Sequence, residues 1–407
     1  MTVDMRTRVD SEQMPVEASA FFGETLPPLL DAHQAKIAPG ARELVLKDFC
    51  IETEGEPFTL LYREDRVRVE PGSRGQVRAR LTCQQLSDLV NDQSTPVAWM
   101  SNRVLDMPEG GLADFLNWWL VLRAALDGRR IHARGDVRFD REISQSFTPE
   151  DSDEDMRAFL EEAGYLHIKG LFSEKEMAAV EADFPSAAAH FEKGNPRGWF
   201  ATTKNDGEQL VRMEGFDRYS DTTVSLIDED RFLRIGRIPG LGHEPRRASG
   251  SRVSALNKPI GVVKGISDVP WHKDCSLGRH SYECCSMTVG ISVTGADAKS
   301  GQLRVLPGSH RALVWPAPAI QPGIDLEPVD LPTKTGDVTV HLSCTQHMSQ
   351  PPVERTRKVL YTGFAQKPVD FKAAEKNRQR LNAVRSKTHT SISQQPGYLG
   401  KPPVDTE

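Results

Sequence analysis

The stretch GDVTVHLSCTQHMSQ, residues 336–350 of a 407-residue chain, decides how the second half of the molecule is read. A Gly-Asp turn leads into apolar alternation at Val338 and Val340, with His341 inside the strand pattern and His347 just after it. The same signature recurs around it. SALNKPIG (254–261), CSMTVGISVTG (285–295), GQLRVLPGSH (301–310) and TRKVLYTGF (356–364) are each short, strand-like and bounded by Gly or Pro. Regularly spaced short strands of this kind imply an antiparallel sandwich or jelly roll.

Upstream lies PWHKDCS, residues 270–276. If it runs extended, side chains two apart share a face, so His272 and Asp274 converge and Lys273 points away. Two histidines and one carboxylate make the facial triad of non-haem Fe(II) oxygenases, which leaves positions open for substrate and O2. The imidazoles must be neutral to ligate. Either His341 or His347 can supply the second histidine. Arg357 follows His347 by ten residues. A 2-oxoglutarate cosubstrate chelates iron through its keto-acid end and leaves its far carboxylate buried. A guanidinium suits that carboxylate, because its fork gives two charge-assisted hydrogen bonds.

Taken together, LNKPIGVVKGISDVPWHKD, SGQLRVLPGSH, GDVTVHLSCTQHMS and Arg357 resemble the phytanoyl-CoA dioxygenase family of Fe(II)/2-oxoglutarate-dependent oxygenases. The resemblance runs over roughly 150–368 and includes YLHIKGLFSEKEM. It implies a C-terminal double-stranded β-helix (jelly roll or cupin-like) with flanking helices. It selects His347 over His341, giving His272, Asp274 and His347 as metal ligands and catalytic centre. It also selects Arg357 over Arg355 for the cosubstrate. Ser349, Thr288, Asn257 and Ser254 fall at or near cosubstrate positions, and His310 matches a family position read as structural. The cofactors implied are Fe(II), 2-oxoglutarate and O2. Asp274 is present, so the site resembles hydroxylases rather than the halogenating relatives that lack the carboxylate. Two departures bear on the loop after the distal histidine: Met348 stands where the family has Gly, and QPPVE precedes the arginine in place of an Asn.

The expected activity is hydroxylation of an unactivated C–H bond in a small apolar substrate: a lipid, terpenoid, steroid or natural product. The competing expectation is a lipid-binding or carrier protein with a catalytically silent jelly roll. It draws on the N-terminal part, where VRARLTCQQLSDLVND, the following helix and GDVRF resemble the sterol-carrier-protein-2 fold, a small α/β module.

The overall fold class is therefore α+β, a small α/β domain preceding the jelly roll. Residues 1–20 are expected to be a disordered tail, 21–143 the α/β domain, 144–155 an acidic linker, 156–370 the dioxygenase domain, and 371–407 a basic, partly disordered tail. Within 21–143, FTLLYR (58–63), the alternating QVRARLTC (76–83) and IHARGDVRF (131–139) read as strands. LADFLNWWLVLRAALDGR (112–129) reads as a helix with Trp118 and Trp119 in the core.

A net charge of −6 and a pI near 6.0 give no footprint for nucleic acid. The polar, acidic start lacks the pattern of a secretory signal. The most apolar run, FLNWWLVLRAAL (115–126), is too short to span a membrane and carries Arg123. Six cysteines include the adjacent pair Cys284 and Cys285 and no CxxC. A reduced, cytoplasmic setting follows as the expectation. The partner expected is a small molecule, with no reading of oligomeric state.

Overall fold

The computed structural model describes residues 14–246, 251–265, 269–278 and 286–385. Cys284 and Cys285 lie outside the described residues, as do the first thirteen residues and those after 385.

Five strands build a first sheet: β1 (Phe49–Glu52), β2 (Phe58–Arg63), β3 (Arg66–Pro71), β4 (Val77–Arg80) and β5 (Asp106–Glu109). Their order is β3-β2-β1-β4-β5, with β1 and β4 parallel and the other neighbours antiparallel. The helix Leu112–Asp127 packs on it and ends at Gly128, which takes the left-handed conformation that glycine adopts without strain. Trp118 and Trp119 on this helix are both 1% exposed, so they serve the core.

The C-terminal part holds β6 (Tyr165–Ile168), β7 (Gly198–Thr203), β8 (Gly207–Glu214), β9 (His243–Pro245), β10 (Ser254–Lys258), β11 (Val262–Lys264), β12 (Val269–His272), β13 (Ser286–Ser292), β14 (Leu303–Leu306), β15 (Val329–Leu331), β16 (Val338–Leu342), β17 (Gln346–Ser349) and β18 (Arg357–Gln366). They form a large sheet, β11-β7-β8-β10-β18-β13-β16-β6, with β9 against the end of β18, and a small sheet, β12-β17-β14-β15. Every pairing within these two sheets is antiparallel. The mixture of helices with antiparallel sheets agrees with the expected class.

Local sequence accounts for the entry into this part. Ser152 caps the helix Asp153–Ala163, and Asp153, Glu154 and Asp155 oppose the helix dipole in its first turn. Met156, Phe159, Leu160 and Ala163 recur on one face and are buried. Ser173 and Glu176 form the capping box that their spacing implies. In the Gly-Asp turn, Gly336 has φ +86 and a Cβ there would lie 1.9 Å from the Phe172 carbonyl oxygen. Asp337 accepts from Gly170 N at 2.9 Å and Lys334 N at 2.7 Å.

Three expectations need correction. Residues 131–139 form no strand beyond a single bridge from Ile131 to Leu313. Gly135 turns the chain at φ +81, and Asp136 and Asp325 carboxylates accept the N–H groups of Ala133 and Gly135 that a ladder would use. The acidic stretch 144–155 is not a free linker: Phe147 is 1% exposed and exchanges backbone hydrogen bonds with the end of β6. Its one aromatic residue outweighs its charges. The N-terminal stretch is ordered before residue 20, since Ala18–Ala20 is helical and Ala18 is buried.

The first core also recruits Leu313, Trp315 and Ala317 from the loop after β14. Trp315 Nε1 donates to Asn117 Oδ1 at 3.0 Å. The helix Phe371–Arg385 returns to the N-terminal part, where Arg380 approaches Asp88. Among the described residues, no helix is long and apolar enough to cross a membrane.

Candidate metal centre

His272 ends β12 and His347 sits on β17, and the two are direct cross-strand partners. Asp274 follows in the turn after β12, so the expected extended run stops at His272; the turn still brings the carboxylate round to the same point. Asp274 Oδ1 is 3.8 Å from His272 Nε2 and 3.8 Å from His347 Nε2, and one ligand atom from each of the three residues lies within 4.8 Å of the others.

Backbone carbonyls set the tautomers. A carbonyl oxygen only accepts, so His272 Nδ1–H donates to Pro270 O at 2.7 Å, and His347 Nδ1–H to Thr345 O at 2.9 Å. Both Nε2 lone pairs are thereby left facing the cluster, which is how metal-binding imidazoles are held. Thr288 Oγ1 donates to Asp274 Oδ2 at 2.9 Å, and Asp274 N donates to Ser343 O at 2.9 Å.

Electrostatics favour the ligating protonation state. Burial pushes the His347 imidazolium down to about 4, with His341 adding to the effect. Burial alone would raise the Asp274 carboxyl, but the surrounding His347, His341 and His272 rings and Arg246 outweigh it and hold it well below the usual carboxylate range. At neutral pH His347 is therefore a neutral imidazole and Asp274 a carboxylate. Such a donor set fits a divalent iron with open positions.

Lys273 points away from the cluster, as expected, yet it is 1% exposed. Its Nζ donates to the carbonyls of Ser309 at 2.8 Å and Ala312 at 3.2 Å, pinning the loop that reaches Trp315.

Two residues beyond His347 on β17, about 7 Å along the strand, Ser349 marks a second polar group. Arg357 is 5% exposed, and its Nη1 donates to Gly301 O at 2.5 Å and Ser349 Oγ at 3.4 Å. Its Nη2 reaches Tyr361 OH at 3.4 Å, while its Nε has no hydrogen-bond partner among the described residues, and the residue lines a small cavity of about 10 Å³. Lys258 Nζ donates to Ser349 Oγ at 2.6 Å and Gln350 O at 3.0 Å. Lys258 and Arg357, both buried, thus share the Ser349 hydroxyl, and among the described residues no carboxylate pairs with Arg357. Arg355, by contrast, is exposed and pairs with Asp297.

The comparisons with known proteins follow this geometry. Residues 160–357 match the family model described as phytanoyl-CoA dioxygenase (PhyH). This stretch is a PhyH domain. It makes the chain a 2-oxoglutarate-dependent non-haem iron dioxygenase, with iron and 2-oxoglutarate as cofactors. A protein of Stutzerimonas stutzeri named as a probable alpha-ketoglutarate-dependent hypophosphite dioxygenase is 26% identical over 232 residues, 52% of this chain and 78% of that one. Among solved structures, the epimerase SnoN in complex with Fe3+, alpha ketoglutarate and nogalamycin RO aligns at 18% identity and a TM-score of 0.42, covering 53% of this chain and 83% of that one. The carbocyclase SnoK from nogalamycin biosynthesis aligns at 18% identity and a TM-score of 0.43, covering 55% and 87%.

Within the PhyH domain the other expected residues separate. Ser349 lies between Lys258 and Arg357. Thr288 bonds the Asp274 carboxylate instead of standing at the cosubstrate end. Ser254 donates to Glu214, beside Arg212, whose guanidinium stacks on Trp199 at 4.7 Å. Asn257 alternates with Ser254, Leu256 and Lys258 and so projects to the opposite face of β10. Lys258 is the residue the sequence reading missed. Period-two alternation from Ser254 identifies it once the strand is known. His310 is structural: its Nε2–H donates to Glu161 O at 2.9 Å and its ring packs on Gly164. His341, which the resemblance does not select as a ligand, lies against His347 with tilted rings and centroids 3.9 Å apart, and its Nε2 is 3.9 Å from Asp274 Oδ2.

Proposed function

We propose that His272, Asp274 and His347 hold the iron and that Arg357, Lys258 and Ser349 receive the far carboxylate of 2-oxoglutarate. The chain then hydroxylates an unactivated C–H bond of a small molecule, on a jelly roll formed by the large and small sheets. The observation that carries this reading is the pairing of a His/Asp/His cluster with a separate buried arginine, Arg357, that no carboxylate pairs among the described residues. One is suited to a metal and the other to the tail of a dicarboxylate.

Bound iron and 2-oxoglutarate supply the oxidant from O2, with release of succinate and CO2. The chain's own residues do the positioning. Pro270 and Thr345 carbonyls orient the imidazoles, Thr288 fixes Asp274, and Lys258 and Arg357 set the depth at which the cosubstrate stops. Trp199, Arg212, Glu214, Ser254 and Leu256 share the inner face of β7, β8 and β10 and form one wall of the site. This wall is mixed polar and apolar, so the lipid-like part of the expectation draws little support from it. The carrier alternative draws none from Trp118 and Trp119, which are filled core.

The test is succinate formation from 2-oxoglutarate under O2 with Fe(II) supplied. Succinate is expected from the wild-type chain and loss of it from Asp274→Ala with the fold retained. Equal succinate from both would refute the assignment of Asp274.

A further inference from the structure

A row of four residues crosses the inner face of the large sheet beside the metal cluster. His341 on β16 is the cross-strand partner of Thr288 on β13, and Thr288 is the partner of Gly363 on β18. Arg246, the residue after β9, donates its backbone N–H to Gly363 O at 2.8 Å. Cross-strand partners share a face. Thr288 bonds Asp274, which places the whole row against that carboxylate.

One end of the row is a buried ring without a hydrogen-bond partner among the described residues, and the other is a half-buried guanidinium. His341 is 1% exposed, and neither ring nitrogen has a hydrogen-bond partner. A buried polar group left so is costly unless a ligand satisfies it. The Arg246 guanidinium lies over Gly363, where a Cβ would stand 3.2 Å from Nη2; the glycine keeps that space clear. Among the described residues no carboxylate pairs with Arg246. Its charge nevertheless reaches the centre, being one of the influences on both Asp274 and His341.

The row is distinct from the cosubstrate end. Gly363 and Arg357 are six residues apart on β18, about 20 Å of extended backbone. The metal cluster therefore has a cation on each side, Arg357 and Arg246, neither paired with a carboxylate among the described residues, and 2-oxoglutarate accounts for one of them.

We propose that Arg246 and His341 form a substrate subsite for an oxyanion, a carboxylate or a phosphorus oxyacid, so that the molecule oxidised by this PhyH domain is an anion held beside the iron. Arg246 supplies charge and a two-pronged donor; His341 supplies one N–H from inside the barrel wall. The inference rests on the reading of the metal and cosubstrate ends given above.

The experiment uses the full chain under anaerobic conditions with Fe(II) and 2-oxoglutarate, following the visible absorption of the chelate. Inorganic phosphate and, separately, acetate are titrated in. A saturable change in the band is expected with at least one of them, and the stronger responder tells which oxyanion class the subsite prefers. Arg246→Gln is expected to weaken that response at least tenfold while the band forms at an unchanged 2-oxoglutarate concentration. His341→Phe, which keeps a ring on His347, is expected to weaken it several-fold, and Arg246→Lys to restore part of it. No response to either anion in the wild type, or an equal response in Arg246→Gln, overturns the proposal. A raised 2-oxoglutarate requirement in Arg246→Gln with an intact anion response overturns it too, by assigning the row to the cosubstrate. If no band forms in the wild type, the reading of the centre has failed separately. Calorimetric titration of phosphate and acetate into metal-free protein then decides the subsite, with binding abolished by Arg246→Gln supporting it and no binding overturning it.

Discussion

Thr288 Oγ1 stands 2.9 Å from Asp274 Oδ2 and donates to it, so the carboxylate proposed to bind iron is held from a strand of the opposite sheet. Removing an outer partner of this kind costs metal affinity by roughly 10–100-fold. Thr288→Val keeps the β-branched shape and the strand. It is expected to weaken Fe(II) binding within that range with an unchanged far-ultraviolet spectrum, and Thr288→Ser is expected to recover most of it. Metal titration followed by calorimetry checks both.

The cosubstrate end separates two arginines. Arg357→Ala is expected to raise the 2-oxoglutarate concentration needed for half-maximal turnover by roughly 100-fold, in line with losing about 3 kcal/mol of charge-assisted bonding. Arg355→Ala removes an exposed pair with Asp297 and is expected to shift that value less than two-fold. The reverse ranking would place the register off by two residues. Lys258→Met is expected to fall between the two.

Acid should destabilise the metal-free protein before its carboxylates titrate. Burial holds His347, His341 and His310 near 4 in the folded chain, against about 6.5 when unfolded. Between these values the unfolded chain binds more protons, so stability is complete above about 6.5 and is lost as pH falls toward 4. The melting temperature of metal-free protein is expected to drop across that window and to level off above it. His310→Gln, which keeps a donor for Glu161 O, is expected to make the drop shallower. A melting temperature flat from pH 7 to pH 4.5 would contradict the burial of these rings.

Gly336→Ala tests the turn that precedes the second histidine. The backbone is left-handed there and the added Cβ would meet the Phe172 carbonyl oxygen at 1.9 Å. A loss of about 2 kcal/mol or more in chemical unfolding is expected, with iron binding impaired in proportion to the unfolded fraction.

Much of this architecture is legible in the chain. The Ser173/Glu176 box, the Gly128 cap and the alternation of Val338 and Val340 with Thr339 and His341 are local signals, and local signals survive folding. The convergence of His272 and His347 was legible only as a set of spacings, since a register between distant strands leaves no local trace. Asn257 and Ser254 follow from the family resemblance, which does not say which face of a strand a residue takes; only the pleat of β10 separates Asn257 from Lys258. Arg246 was hidden in an Arg/Pro/Gly-rich stretch whose pairing with Gly363 no periodicity announces. The strand expected at 131–139 failed because acidic side chains, absent from any alternation rule, took its N–H groups.

The most direct test of the centre is anaerobic titration of Fe(II) into the chain in the presence of 2-oxoglutarate, following the chelate's visible absorption. One equivalent of iron is expected to saturate the band in the wild type, and no band is expected in His347→Ala at the same concentrations. A full band in His347→Ala, or none in the wild type, would contradict a centre built from His272, Asp274 and His347.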